Sequence, residues 1–280
     1  MQAGKVDSPR RHGGTEKRRM RCERLAFCLA LCLCASVVNL LCWSARAADH
    51  VVSLNLCTDQ MLVLLAPEKV TALSLLARDP ALSFVAPEAA HLPVVRASAE
   101  AVIRLHPDLI LAAPYGAQTT VNLLEQEGLR VLRIKLAQDF AGIREQTRAL
   151  AAALGAPQRG EAMIAAMDSL LAALPHRSRP ERALVWEPRG FTAGPGTLMD
   201  AVLHAAGYAN AGDGQRVGLE ALLRHPPDLL VVPATPEYPS LATALLDHPA
   251  IRGIPRLAIP PALTLCAGPF NARAAALLAR

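Results

Sequence analysis

Aromatic side chains are scarce in this sequence: Phe, Trp and Tyr make up 4% of its 280 residues. Any core must therefore be aliphatic. The hydrophobic share of 52% is ample for one and excludes a disordered chain. Beyond the N-terminal segment, no run is long and apolar enough to cross a membrane. An excess of one charge is also lacking over most of the chain. The formal net charge is +5, yet residues 1–47 hold nine Lys/Arg against three Asp/Glu, a net of +6. The remainder holds 20 Lys/Arg against 21 Asp/Glu, a net of −1. Charge thus offers no reason to invoke nucleic acid.

Missing motifs narrow the chemistry further. There is no Gly-x-Ser-x-Gly elbow, no Gly-x-Gly-x-x-Gly and no Gly-Lys-Ser/Thr. Gly194-Pro195-Gly196-Thr197 is therefore read as a turn with Thr197 capping a helix. Seven histidines follow the leader: His50, His91, His106, His176, His204, His225 and His248. None is paired at the i, i+3 or i, i+4 spacing of a zinc helix. No catalytic residue and no metal ligand is assigned, and no cofactor is expected. An exported α/β enzyme of unknown reaction and a bare-metal-ion receptor stand as the alternatives.

The leader is legible. Lys17, Arg18, Arg19, Arg21 and Arg24 precede an apolar run over residues 25–43, and Ala45-Arg46-Ala47 supplies a small-x-small cleavage site. Residues 1–47 are expected to be a cleaved signal peptide, with an uncleaved anchor as the alternative. Five cysteines lie in that leader, and only Cys57 and Cys266 remain. In an oxidising compartment they are a possible disulfide. Two buried thiols are an equal reading, and thiolate ligation of a metal a distant third.

What is present is a repeat. Glu100-Ala101-Val102-Ile103-Arg104-Leu105-His106-Pro107-Asp108-Leu109-Ile110-Leu111 recurs as Glu220-Ala221-Leu222-Leu223-Arg224-His225-Pro226-Pro227-Asp228-Leu229-Leu230-Val231. Each copy reads as a helix starting near Glu, broken by Pro-Asp and followed by a strand buried on both faces. Such a long period implies two similar lobes, not a solenoid. Strands are expected over residues 51–54, 70–73, 131–134, 183–186 and 256–259. Helices are expected over 59–65, 118–127, 197–206 and 241–246. The fold class is α/β: two lobes with parallel-rich sheets flanked by helices. Residues 48–139 form the N-terminal lobe and 180–280 the C-terminal lobe. Residues 140–179 hold the last helix of the first lobe and a single long linker helix, expected over 158–174.

These residues resemble the periplasmic solute-binding proteins of ABC importers for cobalamin, ferric siderophores and haem, whose lobes are joined by one long helix. The resemblance rests on Val52-Ser53-Leu54-Asn55-Leu56-Cys57-Thr58-Asp59, on both copies of the repeat, and on the helix after Pro157. It implies a periplasmic protein, expected to be a monomer, that holds a small-molecule metal chelate between its lobes. It also implies docking on an ABC importer membrane permease through one glutamate per lobe, here Glu100 and Glu220. Ligand sites in such sheets lie beyond the carboxyl ends of strands. That rule selects Asn55, Cys57, Thr58, Arg78, Tyr115, Gly116, Trp186, Arg189, Phe191, Arg216 and Thr235. Tyr115, Trp186 and Phe191 could offer a planar ligand stacking faces, with Trp186 equally read as an ordinary core residue at a strand end. Arg78, Arg189 and Arg216 could neutralise carboxylates or phosphate on a ligand, the alternative for each being a solvated surface residue.

Overall fold

Both halves of the chain build a four-stranded parallel sheet, and the two sheets share one strand order. The computed structural model describes residues 47–234, 244–246 and 248–280. The first half runs β1 (Val51–Ser53), α1 (Leu56–Leu65), β2 (Val70–Ala72), α2 (Ala86–Ala89), α3 (Ala99–Ile103), β3 (Leu109–Ala112), α4 (Gln118–Gln126) and β4 (Val131–Arg133). Its sheet order is β2-β1-β3-β4. Two helices follow, α5 (Phe140–Ala153) and α6 (Pro157–Ala172). The second half runs β5 (Arg182–Val185), α7 (Leu198–Ala205), β6 (Ala209–Asn210), α8 (Leu219–Arg224), β7 (Leu229–Pro233), β8 (Arg256–Ile259) and α9 (Asn271–Leu278). Its sheet order is β6-β5-β7-β8. Among the described residues no helix is long and apolar enough to cross a membrane.

Continuous apolar strands form because both faces of each sheet are covered. Side chains alternate along a strand, so residue parity selects the helix layer. Val51, Leu109 and Leu111 pack with Met61, Leu62 and Leu65 of α1 and with Leu150 and Ala151 of α5. Val52, Ile110 and Ala112 face the opposite way, toward Val102 of α3 and toward Val121 and Leu124 of α4. The second half repeats the scheme. Ala183, Val185 and Val231 meet α7 and α9, while Leu184, Leu230 and Val232 meet Leu222 of α8.

The repeated Pro-Asp does more than end a helix. Asp108 accepts from the backbone N–H of Asp49 at 2.8 Å and of His50 at 3.1 Å. Asp228 accepts from the backbone N–H of Arg182 at 2.7 Å. The two aspartates also donate their own N–H groups to His50 O (3.0 Å) and Arg182 O (2.9 Å). Each copy thus ties the entry of its lobe's second central strand to the entry of the first.

Helix α6 joins the lobes. Met163 packs on the core of the first half, and Leu171 and Leu174 on that of the second. Between them Met167 meets Ile143 of α5 and Ala272 of α9. Sixteen residues at 1.5 Å each span about 24 Å, enough to cross both units. Gly160 permits a close crossing, because a Cβ there would lie 2.6 Å from the Ala151 Cβ. Further ties run beside the helix. Phe84 stacks on Phe270 with ring centroids 4.9 Å apart. Gln146 donates to Ala267 O at 3.3 Å. Cys57 and Cys266, 209 positions apart in sequence, form a disulfide with Cα atoms 5.1 Å apart.

Some elements differ from expectation. Of the helix expected over residues 241–246, the first three residues lie outside the described set and 244–246 form a turn. Helix α2 and the two-residue strand β6 are too short to carry a periodic signal and were not expected, and neither was α9, whose alanine-rich sequence shows little periodicity.

Candidate functional site

The disulfide locates the site. Cys57 follows β1 and Cys266 follows β8, so one loop beyond the carboxyl ends of each sheet is joined to the other there. On the first lobe Asn55 caps α1, accepting from the Cys57 N–H at 2.9 Å and donating to Tyr115 O at 3.3 Å. It thereby couples the loop after β1 to the loop after β3. Tyr115 is 73% exposed. Gly116 stands at φ +77°, a turn that a side chain would strain. Leu75 and Leu76, in the loop after β2, are also exposed. Arg78 follows them, exposed and donating to Leu92 O.

Beneath these loops lies a buried polar cluster. The Ser53 and Thr58 hydroxyls are 2.7 Å apart, and Thr58 donates to Asn55 O at 2.8 Å. Thr58 is fully buried. Its expected ligand contact is therefore corrected: its hydroxyl is used in holding the loop. Asp59 is also fully buried and accepts from the Ser74 N–H (3.1 Å) and hydroxyl (2.5 Å), anchoring the loop of Leu75, Leu76 and Arg78.

Burial pushes the Asp59 carboxyl up from 3.8 to about 6, against the opposing effect of its bonds from Ser53 and Ser74. The folded chain then holds this proton more tightly than the unfolded chain does. The contribution is complete below 3.8 and is lost as pH rises through about 6. Relative to Asp59→Asn, the native protein should gain about 1 kcal/mol of stability between about pH 7 and about pH 5. Urea unfolding of both proteins at the two pH values checks this, and a flat or inverted difference contradicts it.

On the second lobe the loop after β5 turns tightly, with Gly190 N–H donating to Glu187 O and Glu187 N–H to Phe191 O. Gly190 has φ +80°, and a Cβ there would approach Val217 O to 2.6 Å, so only glycine fits. Arg189 is exposed, with φ +63°. Arg216 donates to Arg189 O at 3.1 Å and places its guanidinium 5.4 Å from the centre of the exposed Phe191 ring. Phe191 and Arg216, 25 residues apart in sequence, thus form one apolar and cationic surface. Leu265, beside Cys266, is exposed. Glu187, Met199, Pro233, Ile259, Thr264 and Leu265 border a hollow of about 60 Å³, and partial burial pushes the Glu187 carboxyl up.

Trp186 is corrected. It is 0% exposed and its indole N–H donates to Val217 O at 2.9 Å. The pleat places it on the same face as Leu184, under Leu222 of α8, so it is core and presents no stacking face. Thr235 lies outside the described residues. A larger cavity, about 410 Å³, is lined by residues 132–138 and by α5. Its lining comes from the first half alone, from β4, the loop after it and α5, and two of these residues, Ala137 and Gln146, also touch the second half at Ala267.

Glu100 and Glu220 each stand in the first turn of their helix, α3 and α8, and both are exposed. In a parallel crossover the helix begins where the preceding strand ends. Both glutamates therefore lie at the ends of their lobes that carry the site loops. Glu100 pairs with Arg104 at 3.2 Å in a fully solvated contact. Among the described residues no group of three or more His, Cys, Asp or Glu side chains could hold a metal ion.

Several solved structures share this architecture. A periplasmic haem-binding protein from Pseudomonas aeruginosa is 23% identical, covering 83% of this chain and 91% of that one with a TM-score of 0.66. A protein of an ABC-type Fe3+-hydroxamate transport system from Saccharomonospora viridis is 20% identical, covering 83% and 92% with a TM-score of 0.62. At these identities the likeness is one of fold. In sequence, a cobalamin-binding protein of Halobacterium salinarum is 33% identical over 117 residues, covering 40% of this chain and 31% of the relative, so the match spans about a third of that protein. The family model described as "Periplasmic binding protein" matches residues 51–257, nearly the whole of both lobes. With two like-ordered sheets, one joining helix and this match, the chain belongs to the periplasmic binding protein family.

Proposed function

We propose that this chain is exported by cleavage of residues 1–47, captures a metal chelate at the seam between its lobes, and delivers it to an ABC importer permease in the membrane. The observation that carries the reading is the chemistry of the loops around the disulfide. Leu75, Leu76, Tyr115, Phe191 and Leu265 are exposed there, and Arg78, Arg189 and Arg216 stand among them. Such a surface suits a ligand with an apolar framework and anionic edges. It asks nothing of the metal, which arrives already wrapped in its organic ligand. A cobalamin-like corrinoid or a ferric siderophore fits best. Haem comes third, because an open axial position asks for a protein ligand, and of the seam residues just named only Tyr115 carries a suitable atom. Docking is assigned to Glu100 and Glu220, one on each lobe, where paired charges fix orientation and steer the encounter.

The test is titration of the purified chain with cyanocobalamin, ferrichrome and haemin. Trp186 is the single tryptophan outside the leader, and its bond to Val217 sits next to Arg216. Its emission therefore reports on the Phe191–Arg216 surface without touching the ligand. One of the first two chelates is expected to give saturable, one-to-one binding. Saturation by none of the three, with bare Zn²⁺ or Mn²⁺ binding instead, contradicts the reading.

A further inference from the structure

Eight large apolar side chains are exposed among the described residues. Five of them are the seam residues, and Leu123 lies on α4. The remaining two, Ile103 at 38% and Leu223 at 43% exposed, occupy the same position of the repeat. Each stands three residues after its glutamate, so each shares a helix face with it. The identical strand orders place the two pairs at equivalent points of the two lobes, on the side that carries the site loops. Nothing in the lobe cores requires an apolar residue there; Val102 and Leu222 make the inward contacts of these helices.

A carboxylate alone holds a partner poorly at such a place. Both tips carry an arginine four residues on: Arg104 pairs with the Glu100 carboxylate and competes with any basic group brought by a partner, while Arg224 donates to the Glu220 backbone carbonyl at 3.5 Å. Exposed charge is also screened by salt, whereas burial of apolar surface is not. We propose that Ile103 and Leu223 are docking residues in their own right, each an apolar knob beside its glutamate. The partner they fit is a two-fold-symmetric membrane permease presenting, on each half, a basic side chain next to an apolar socket. Bridging both tips, it lies across the mouth of the seam. The proposal rests on the docking reading of Glu100 and Glu220, to which it adds the component that survives salt.

The test uses the processed protein and right-side-out membrane vesicles from its own cells deleted for this chain, with binding followed by sedimentation at low and high salt. The native protein is expected to bind saturably and to keep part of that binding at high salt. Ile103→Ser with Leu223→Ser, a pair that introduces no charge, is expected to weaken binding by about tenfold or more per side chain and to abolish the salt-resistant part. Thermal midpoints of native and variant should coincide, since both positions are solvent-exposed. If the serine pair binds like the native protein while Glu100→Gln with Glu220→Gln does not, this proposal fails and glutamate docking stands. If the glutamine pair binds like the native protein, or if the native protein shows no saturable binding, the docking reading fails and this proposal with it.

Discussion

Replacing Cys57 and Cys266 together by serine is expected to lower the unfolding free energy by about 5 kcal/mol, from the loop entropy released when a closure of 209 residues is opened. For a chain of this size that is roughly 10 °C or more in thermal midpoint. The effect is large because the bridge joins two units that each possess their own core. Once it is cut, α6, the Phe84–Phe270 stack and the Gln146–Ala267 bond remain as ties. Two of these, the Phe84–Phe270 stack and the Gln146–Ala267 bond, also use the loop after β8, but none reaches the loop after β1 as the bridge does. Ligand affinity should therefore fall together with stability, since Asn55 and Leu265 neighbour the two cysteines. Calorimetry of the oxidised protein, the reduced protein and the double serine variant checks the first effect, and chelate titration of the same samples checks the second. Coincident midpoints in all three samples contradict the assignment of the bridge as the main clamp.

Reversing both charges, Glu100→Arg with Glu220→Arg, is expected to abolish transport-dependent uptake of the bound chelate while leaving its affinity for the purified protein unchanged. The two effects separate because both side chains are exposed and neither belongs to a lobe core. Reversal turns two attractions into two repulsions on a basic receptor, which costs several-fold more than neutralisation does. The single reversals should each retain partial uptake, since one tip still engages. Loss of chelate affinity in the double variant would place the glutamates in the binding site and refute the docking role. Undiminished uptake would remove the docking role altogether.

Much of this architecture could be read before any coordinates. The duplicated Glu-to-strand unit implied two sheets, and the strands at Leu109 and Leu229 pair in equivalent registers with β1 and β5. The unbroken helical stretch after Pro157 implied a stiff joint. What escaped was information that depends on a third element. That Asp108 and Asp228 clamp strand entries needs the strands at residues 49–50 and 182 placed beside them. Trp186, at the end of a strand, reads equally as a seam residue and as core; period-two parity with Leu184 decides for the core. Thr58 was taken as a ligand contact because it follows the carboxyl end of a strand, but its hydroxyl faces Ser53 instead. The Phe191–Arg216 pair was invisible, because their approach is set by Gly190 packing on Val217, a contact without a local sequence pattern. Asp59 reads only as the start of a helix and as part of the resemblance; that its carboxylate is buried and holds Ser74 has no local sequence signal.

Amide hydrogen exchange, run with and without the chelate that saturates the protein, is the most direct trial of a cargo held jointly by two lobes. Slowed exchange is the expected result in residues 55–58, 74–79 and 113–117 of one lobe, and equally in residues 187–191, 215–217 and 263–266 of the other. Slowing limited to a single lobe, or centred on the cavity between β4 and α5, would contradict it.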